Sequence, residues 1–294
     1  MNKSITAIPG IRVGHWTDRA AGTGCTVVVL PEPNVVTAEV RGAAPGTREY
    51  ALLQKGMRVE QVQAIVLTGG SAFGLATADG VMRALAAEGR GHPTPMGPVP
   101  IVPAAVLFDL GPDDAGVRPG PEEGEAAYRG ATVGPVESGS VGAGTGATVA
   151  KWRGFEHMQA GGLGSGLASV GEARVGALSA VNAVGDIFTV EGESLTGGSP
   201  LPGPPAVVPA AFTDTTLMVV ATDARLSRID LTWLAVRAHD ALAVCVRPAH
   251  SRFDGDIVFA VSCGEIEADV DALAEGAFEA TAASIVDAVR AAAR

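Results

Sequence analysis

Apolar positions along the 294-residue chain fall into short unbroken runs punctuated by glycine and proline, followed later by two stretches of helical period. Cys25 to Leu30 and Ala64 to Thr68 are β-branched runs bounded by Gly or Pro, which predicts buried strands. Gly69-Gly70 then breaks the pattern, and Ser71 is placed to cap a helix running to Glu88. Val99 to Leu110 returns to strand composition, with Pro100 and Pro103 putting its start at an edge or bulge. Arg174 to Ala183, Thr215 to Thr222 and Ile257 to Ser262 have the continuous apolar character of strands buried on both faces. Between the last two, Ser227 with Asp230 makes a capping-box variant. The helix it opens carries Leu231, Leu234, Ala235, Ala238 and Leu242 on one stripe. Asp269 opens a long amphipathic helix to the C-terminus, with Val270, Leu273, Ala277, Phe278, Ile285 and Val289 inward.

Strands and helices mix without regular βαβ alternation, which favours antiparallel-rich sheets covered by outer helices. The glycines of 139–186 alternate with small apolar residues, as in strands packed close to another backbone. Gly197 to Asp214 holds five prolines (Pro200, Pro202, Pro204, Pro205 and Pro209), which predicts a long exposed loop.

Composition narrows the function classes. A net charge of −11 with only three lysines (Lys3, Lys55 and Lys151) makes nucleic acid a poor partner. No apolar run approaches a membrane span. Cys25, Cys245 and Cys263 have neither disulfide-framework nor zinc-ligand spacing and are expected as small buried hydrophobes. The N-terminus reads without a leader, so a reduced, cytoplasmic setting is expected. Phosphate-loop, nucleophile-elbow and metal-ligand patterns are missing, and Gly142 to Gly146 matches a dinucleotide fingerprint only loosely. The five histidines (His15, His92, His157, His239 and His250) are expected in surface or capping roles.

The chemistry concentrates where the proline-rich loop meets a buried strand at Asp214-Thr215. If that bond were cut, Thr215 would carry a hydroxyl and an α-amine, whose pKa of about 7.7–8 suits a general base near neutrality. One residue would then supply nucleophile and base. Asp254-Gly255-Asp256 offers two carboxylates to orient the threonine and its ammonium. Lys151 sits in an apolar, glycine-rich stretch, where its ammonium could lower the pKa of a neighbouring hydroxyl or amine. Asn182 lies in a buried strand, and its amide NH2 is a candidate oxyanion donor.

Several segments in order carry a resemblance to a known family: IPGIRVGHWTD (Ile8 to Asp18), LTGGSAFGLATADGV (Leu67 to Val81), VPAAVLFDL (Val102 to Leu110), GSVGAGTGATVAKW (Gly139 to Trp152), SAVNAVGD (Ser179 to Asp186), DTTLMVVATDARLS (Asp214 to Ser227) and FDGDIVFAVS (Phe253 to Ser262). Together they resemble the L-aminopeptidase/D-esterase group of autoprocessing peptidases, which includes the β-aminopeptidases and the nylon-oligomer endo-hydrolases. The resemblance implies an α/β fold, a four-layer αββα sandwich of the N-terminal nucleophile type. One domain (1–294) would be self-cut into an α chain (1–214) and a β chain (215–294), with αβ units assembling as tetramers. It carries Thr215 over as nucleophile and brings Lys151, Asn182, Asp254 and Asp256 into the site, a set closest to the nylon-hydrolase branch. No metal or cofactor is implied.

The substrate class would be amide oligomers of 6-aminohexanoate type. The alternatives are short peptides or β-amino acid amides cut by an aminopeptidase, and acyl transfer as in the ornithine acetyltransferases. Two positions depart from the family pattern. Phe108 stands where relatives commonly place tyrosine, which removes a hydroxyl from the substrate pocket. Asp214 stands where relatives have Asn or Gly, so slower or pH-dependent self-cleavage is expected. Thr216 is a second candidate nucleophile, but the spacing to Asp254-Gly255-Asp256 favours Thr215.

Overall fold

The computed structural model describes residues 2–111, 116–206 and 214–293. Its first sheet has the order β1-β2-β5-β6-β4, from Arg12–Asp18 (β1), Thr23–Val29 (β2), Thr47–Arg48 (β4), Ala64–Thr68 (β5) and Ala104–Val106 (β6). The second has the order β3-β14-β12-β10-β9, from Val35–Val40 (β3), Gly162–Val170 (β9), Ala173–Asn182 (β10), Thr215–Ala224 (β12) and Ile257–Ile266 (β14). Two-residue strands pair outside them: Thr148–Val149 (β7) with Gln159–Ala160 (β8), and Asp186–Ile187 (β11) with Val246–Arg247 (β13). Within the two large sheets neighbours are antiparallel, except the parallel pairs β5/β6 and β12/β14.

Alternation along the strands builds the layers. On β12, Leu217, Val219 and Ala221 pack with Val28, Ile65 and Leu67 of the first sheet, while Met218 and Val220 face the helices Arg228–Cys245 (α3) and Val270–Ala292 (α4). The far face of the first sheet buries Val27, Val29 and Val66 under Thr77–Ala87 (α1) and Pro121–Arg129 (α2). Three apolar layers thus separate four structural ones, the αββα order that the resemblance implies. Ser227 caps α3 as the sequence predicts, and Asp269, expected as the start of the last helix, caps α4; each accepts from a backbone N–H three residues on.

The glycines of β9 have the predicted reason. A Cβ at Gly164 would stand 2.2 Å from the Ser284 carbonyl oxygen of α4, and one at Gly166 would stand 2.2 Å from the Ala280 oxygen. Gly164→Ala is therefore expected to destabilise the protein by about 1–3 kcal/mol, read as a lower denaturant midpoint, because a backbone must move to admit one methyl.

Other expectations are corrected. Ser71 does not cap a helix. Gly70 and Ser71 have φ of +82° and +53°, so residues 71–76 turn as a 3-10 helix before α1 begins at Thr77. The strand expected over 99–110 shrinks to Ala104–Val106, since prolines 100 and 103 lack the N–H a ladder needs. Gly142–Gly144 is also a 3-10 turn rather than strand. His239 is fully buried, with Nε2 3.0 Å from the Glu39 carbonyl oxygen, and burial lowers its pKa to about 3. Cys25 and Cys245 are buried as expected, whereas Cys263 is only partly so. Of the proline-rich stretch, 207–213 with Pro209 lies outside the described residues. Among the described residues no helix is long and apolar enough to cross a membrane.

Candidate active site

Thr215 is the first residue of β12, and its register partner is Asn182, the last residue of β10. Both continue the alternation of Leu217 and Ala180, so both face the space between the two sheets. Thr216 points the opposite way, and its buried hydroxyl has no hydrogen-bond partner. Strand geometry alone therefore separates the two candidate nucleophiles.

The Thr215 hydroxyl lies 2.6 Å from the carbonyl oxygen of Asp214, to which it donates. That peptide is held from the neighbouring chain segment as well. Asp214 bridges Asp254 in parallel, extending the β12/β14 pairing outward. Asp214 N donates to the Phe253 carbonyl at 3.4 Å, and Gly255 N donates to the Asp214 carbonyl at 3.1 Å.

Lys151 follows Ala150, whose φ of +64° turns the chain inward. Backbone bonds from Ala150 N to Gly185 O and from Trp152 N to Val184 O fix the residues on either side. Its buried Nζ donates to Thr148 Oγ1 at 2.9 Å and to Asn182 Oδ1 at 3.3 Å, and forms an ion pair with the Asp214 carboxylate. All three ammonium hydrogens thus have acceptors. The second carboxylate oxygen of Asp214 is buried without a partner. Burial accordingly pushes the Asp214 carboxyl above its ordinary range, opposed by Lys151 and reinforced by Asp256.

Asn182 is committed at both ends. Its Oδ1 accepts from Lys151 and from Thr148 N, and its Nδ2 donates to the Phe108 carbonyl at 3.0 Å. The amide read from sequence as an oxyanion donor is thus turned to the first sheet's side in the uncut chain. Phe108 itself lines a cavity of about 240 Å³ beside Asp214 and Thr215, with Ala44, Pro45, Ser71, Val106, Leu107 and Phe253 among its other walls.

The two aspartates do different things. Asp256 Oδ1 accepts from Thr216 N at 2.8 Å, and its Oδ2 accepts from His250 Nδ1 at 2.9 Å. Asp254 Oδ2 accepts from Ser251 N at 2.6 Å, within its own turn. Thus Asp256 anchors the start of β12 through the backbone, and Asp254 braces the turn that leads into β14, beside the residue before β12. His250 is a residue the sequence reading misses, expecting it in a surface or capping role. Its φ of +54° aims the ring at Asp256, and its Nε2 lies 3.3 Å from the His239 carbonyl oxygen.

Burial, then the neighbouring Asp256, pushes Asp254 up to about 7. The folded chain therefore holds a proton there that the unfolded chain, with a carboxyl near its usual value of about 3.9, has released. Stability from this group is full below about pH 4 and is lost as pH rises to about 7. In an uncut Thr215→Ala background, Asp254→Asn is expected to raise the melting temperature increasingly across that window and to change it little at pH 4.

The chain is similar to known proteins in sequence and in fold. An aminopeptidase of Mycobacterium leprae, itself uncharacterized, is 40% identical across 92% of this chain and 81% of its own length. The 6-aminohexanoate-oligomer endohydrolase of Paenarthrobacter ureafaciens is 28% identical across 88% of this chain and 74% of its own. The L-aminopeptidase D-Ala-esterase/amidase of Ochrobactrum anthropi, a variant of the Ntn hydrolase fold, superposes with a TM-score of 0.77. That match covers 99% of this chain and 86% of the other at 18% identity, a likeness of fold. The model of peptidase family S58 matches residues 3–294, and on that near-complete match this chain belongs to peptidase family S58.

Proposed function

We propose that the protein is an autoprocessing N-terminal threonine hydrolase that cuts amide bonds after cleaving itself between Asp214 and Thr215. The observation that carries the reading is the Thr215 hydroxyl lying 2.6 Å from the carbonyl oxygen of the bond before it, at the start of a buried strand. Nucleophile and scissile carbonyl are thereby held together without a second side chain, which replaces a bimolecular encounter by a fixed approach. The cut would free the Thr215 α-amine, with a pKa of about 7.7–8, to serve as the general base in turnover. Once Asp214 is a chain end, Lys151 can exchange that carboxylate for the amine or the reacting hydroxyl. Asp256 keeps the start of β12 in place through Thr216 N.

The cavity beside Thr215 is walled chiefly by Ala44, Pro45, Val106, Leu107, Phe108 and Phe253, and no basic side chain lines it among the described residues. Such a wall suits an uncharged acyl chain, such as the methylenes of a 6-aminohexanoyl unit. The relative named an oligomer endohydrolase supports that substrate class. The more similar relatives named aminopeptidases support a second reading, removal of one residue from a free amino end.

Product analysis separates the two. Processed protein is given an N-acetylated 6-aminohexanoate trimer and, separately, free-amine dipeptides. Internal cutting of the capped trimer is expected. Release of single residues only from free amino ends would favour the aminopeptidase reading, and transfer to an added amine would favour acyl transfer. No new amine from either substrate would contradict a hydrolase.

A further inference from the structure

The Asp254-Gly255-Asp256 sequence draws attention to its carboxylates, yet neither carboxylate touches the Thr215 hydroxyl or the Asp214 carbonyl in the described contacts. The group that reaches the scissile peptide is the backbone N–H between them, 3.1 Å from the Asp214 carbonyl oxygen. We propose that Gly255 N–H is the oxyanion donor of self-cleavage, a role that rests on Thr215 being the nucleophile.

Two donors meet on that oxygen, Gly255 N–H and the Thr215 hydroxyl. They do not share the reaction. To attack the carbonyl carbon, Thr215 Oγ1 must give up its hydrogen bond to the carbonyl oxygen. Gly255 N–H is fixed in the pairing of residue 214 with residues 253–255 and stays. It is a donor already oriented where negative charge develops, so it needs no reorganisation as the bond forms. Asn182, the side-chain alternative, donates one amide hydrogen to Phe108 O and makes no described contact with the Asp214 carbonyl oxygen.

The residue type follows from the same contact. Gly255 has no left-handed φ, so a turn does not demand glycine here. Space does: a Cβ would stand 2.4 Å from the Ala44 carbonyl oxygen and 2.9 Å from Pro45 Cα. Those two residues wall the cavity at Thr215. Glycine lets the 254–256 backbone approach the scissile bond while the cavity wall closes over it.

The step balances as follows. Thr215 Oγ1 forms a bond to the Asp214 carbonyl carbon, and the carbonyl electron pair moves onto the oxygen facing Gly255 N–H. As that pair returns, the carbon–nitrogen bond breaks, and the Thr215 nitrogen takes the proton lost from Oγ1. An ester joins the two chains until water adds to the same carbon and displaces Oγ1, which recovers a proton. The products are the Asp214 α-carboxyl and a free Thr215 amine.

The test replaces Gly255 by glycolic acid through cell-free translation, which exchanges the N–H for an ester oxygen and adds no bulk. Intact mass of denatured samples follows cutting at 214/215, which is distinguishable by mass from hydrolysis of the introduced ester at 254/255. Self-cleavage is expected to slow by about 10²–10³-fold in a chain whose circular dichroism matches the parent. Cutting within about threefold of the parent rate, while Thr215→Ala stays whole, would overturn the donor and leave the nucleophile standing. Cutting of Thr215→Ala at 214/215 would instead sink the underlying reading. If the glycolate chain does not fold, amide exchange of Gly255 in the uncut Thr215→Ala protein decides. A protected N–H supports the assignment, and one exchanging as an open loop does overturns it.

Discussion

Thr215→Ala is expected to yield one uncut chain of 294 residues and to lower amide hydrolysis by on the order of 10⁴-fold or more. Both losses have one cause. The same oxygen would attack the Asp214 carbonyl during maturation and the substrate carbonyl afterwards, and without the first event the α-amine never appears. Thr215→Ser keeps a hydroxyl and is expected to mature. The neighbouring Thr216 gives no rescue, because its side chain lies on the opposite face of β12, towards the helices that cover Met218 and Val220. Denaturing electrophoresis and a fixed-substrate rate assay read the two effects separately. A Thr215→Ala chain that still matures and turns over would mean the nucleophile lies elsewhere.

Lys151→Met in the uncut Thr215→Ala background should lower stability by about 3–5 kcal/mol, because it strands the buried Asp214 carboxylate without its partner. The pH dependence has a definite sign. Burial already raises the Asp214 carboxyl and Lys151 opposes that rise, so removing the lysine raises it further. Protonated at low pH, the stranded group costs little. The penalty therefore grows as pH climbs from about 4 through the raised value. Adding Asp214→Asn removes the charge and is expected to recover most of the loss at pH 8. Chemical denaturation of the three variants at pH 4 and pH 8 tests this, and an equal penalty at both would show that the ion pair is not its source.

Much of the fold was legible because its central strands are buried on both faces, and such strands write themselves as unbroken β-branched runs. Ala64–Thr68 matches the predicted bounds, and the strand predicted from Thr215 to Thr222 runs on only to Ala224. Failures occurred where local backbone geometry overrode residue preference. Ser71 has the side chain of a cap but a left-handed backbone after Gly70, and Pro100 and Pro103 cut a strand-like composition short.

The site was legible at residues that break their surroundings. Lys151 and Asn182 are polar in apolar stretches, and the structure joins them through the Asn182 oxygen and, by way of Lys151, to Asp214. Roles were harder to read than positions. Which way the Asn182 amide points, and that Asp254 turns to Ser251 while Asp256 takes Thr216 N, depend on tertiary geometry. His250 reaches Asp256 only through a backbone turn that no spacing rule encodes. A backbone donor such as Gly255 N–H has no side chain to announce it.

The most direct measurement is the intact mass of the freshly purified, denatured protein followed over time. Self-cleavage at Thr215 predicts loss of the full-length species and matched growth of two fragments, residues 1–214 and 215–294, the second beginning with an unblocked threonine. A full-length chain that persists undivided while the preparation hydrolyses amides would contradict an N-terminal threonine mechanism.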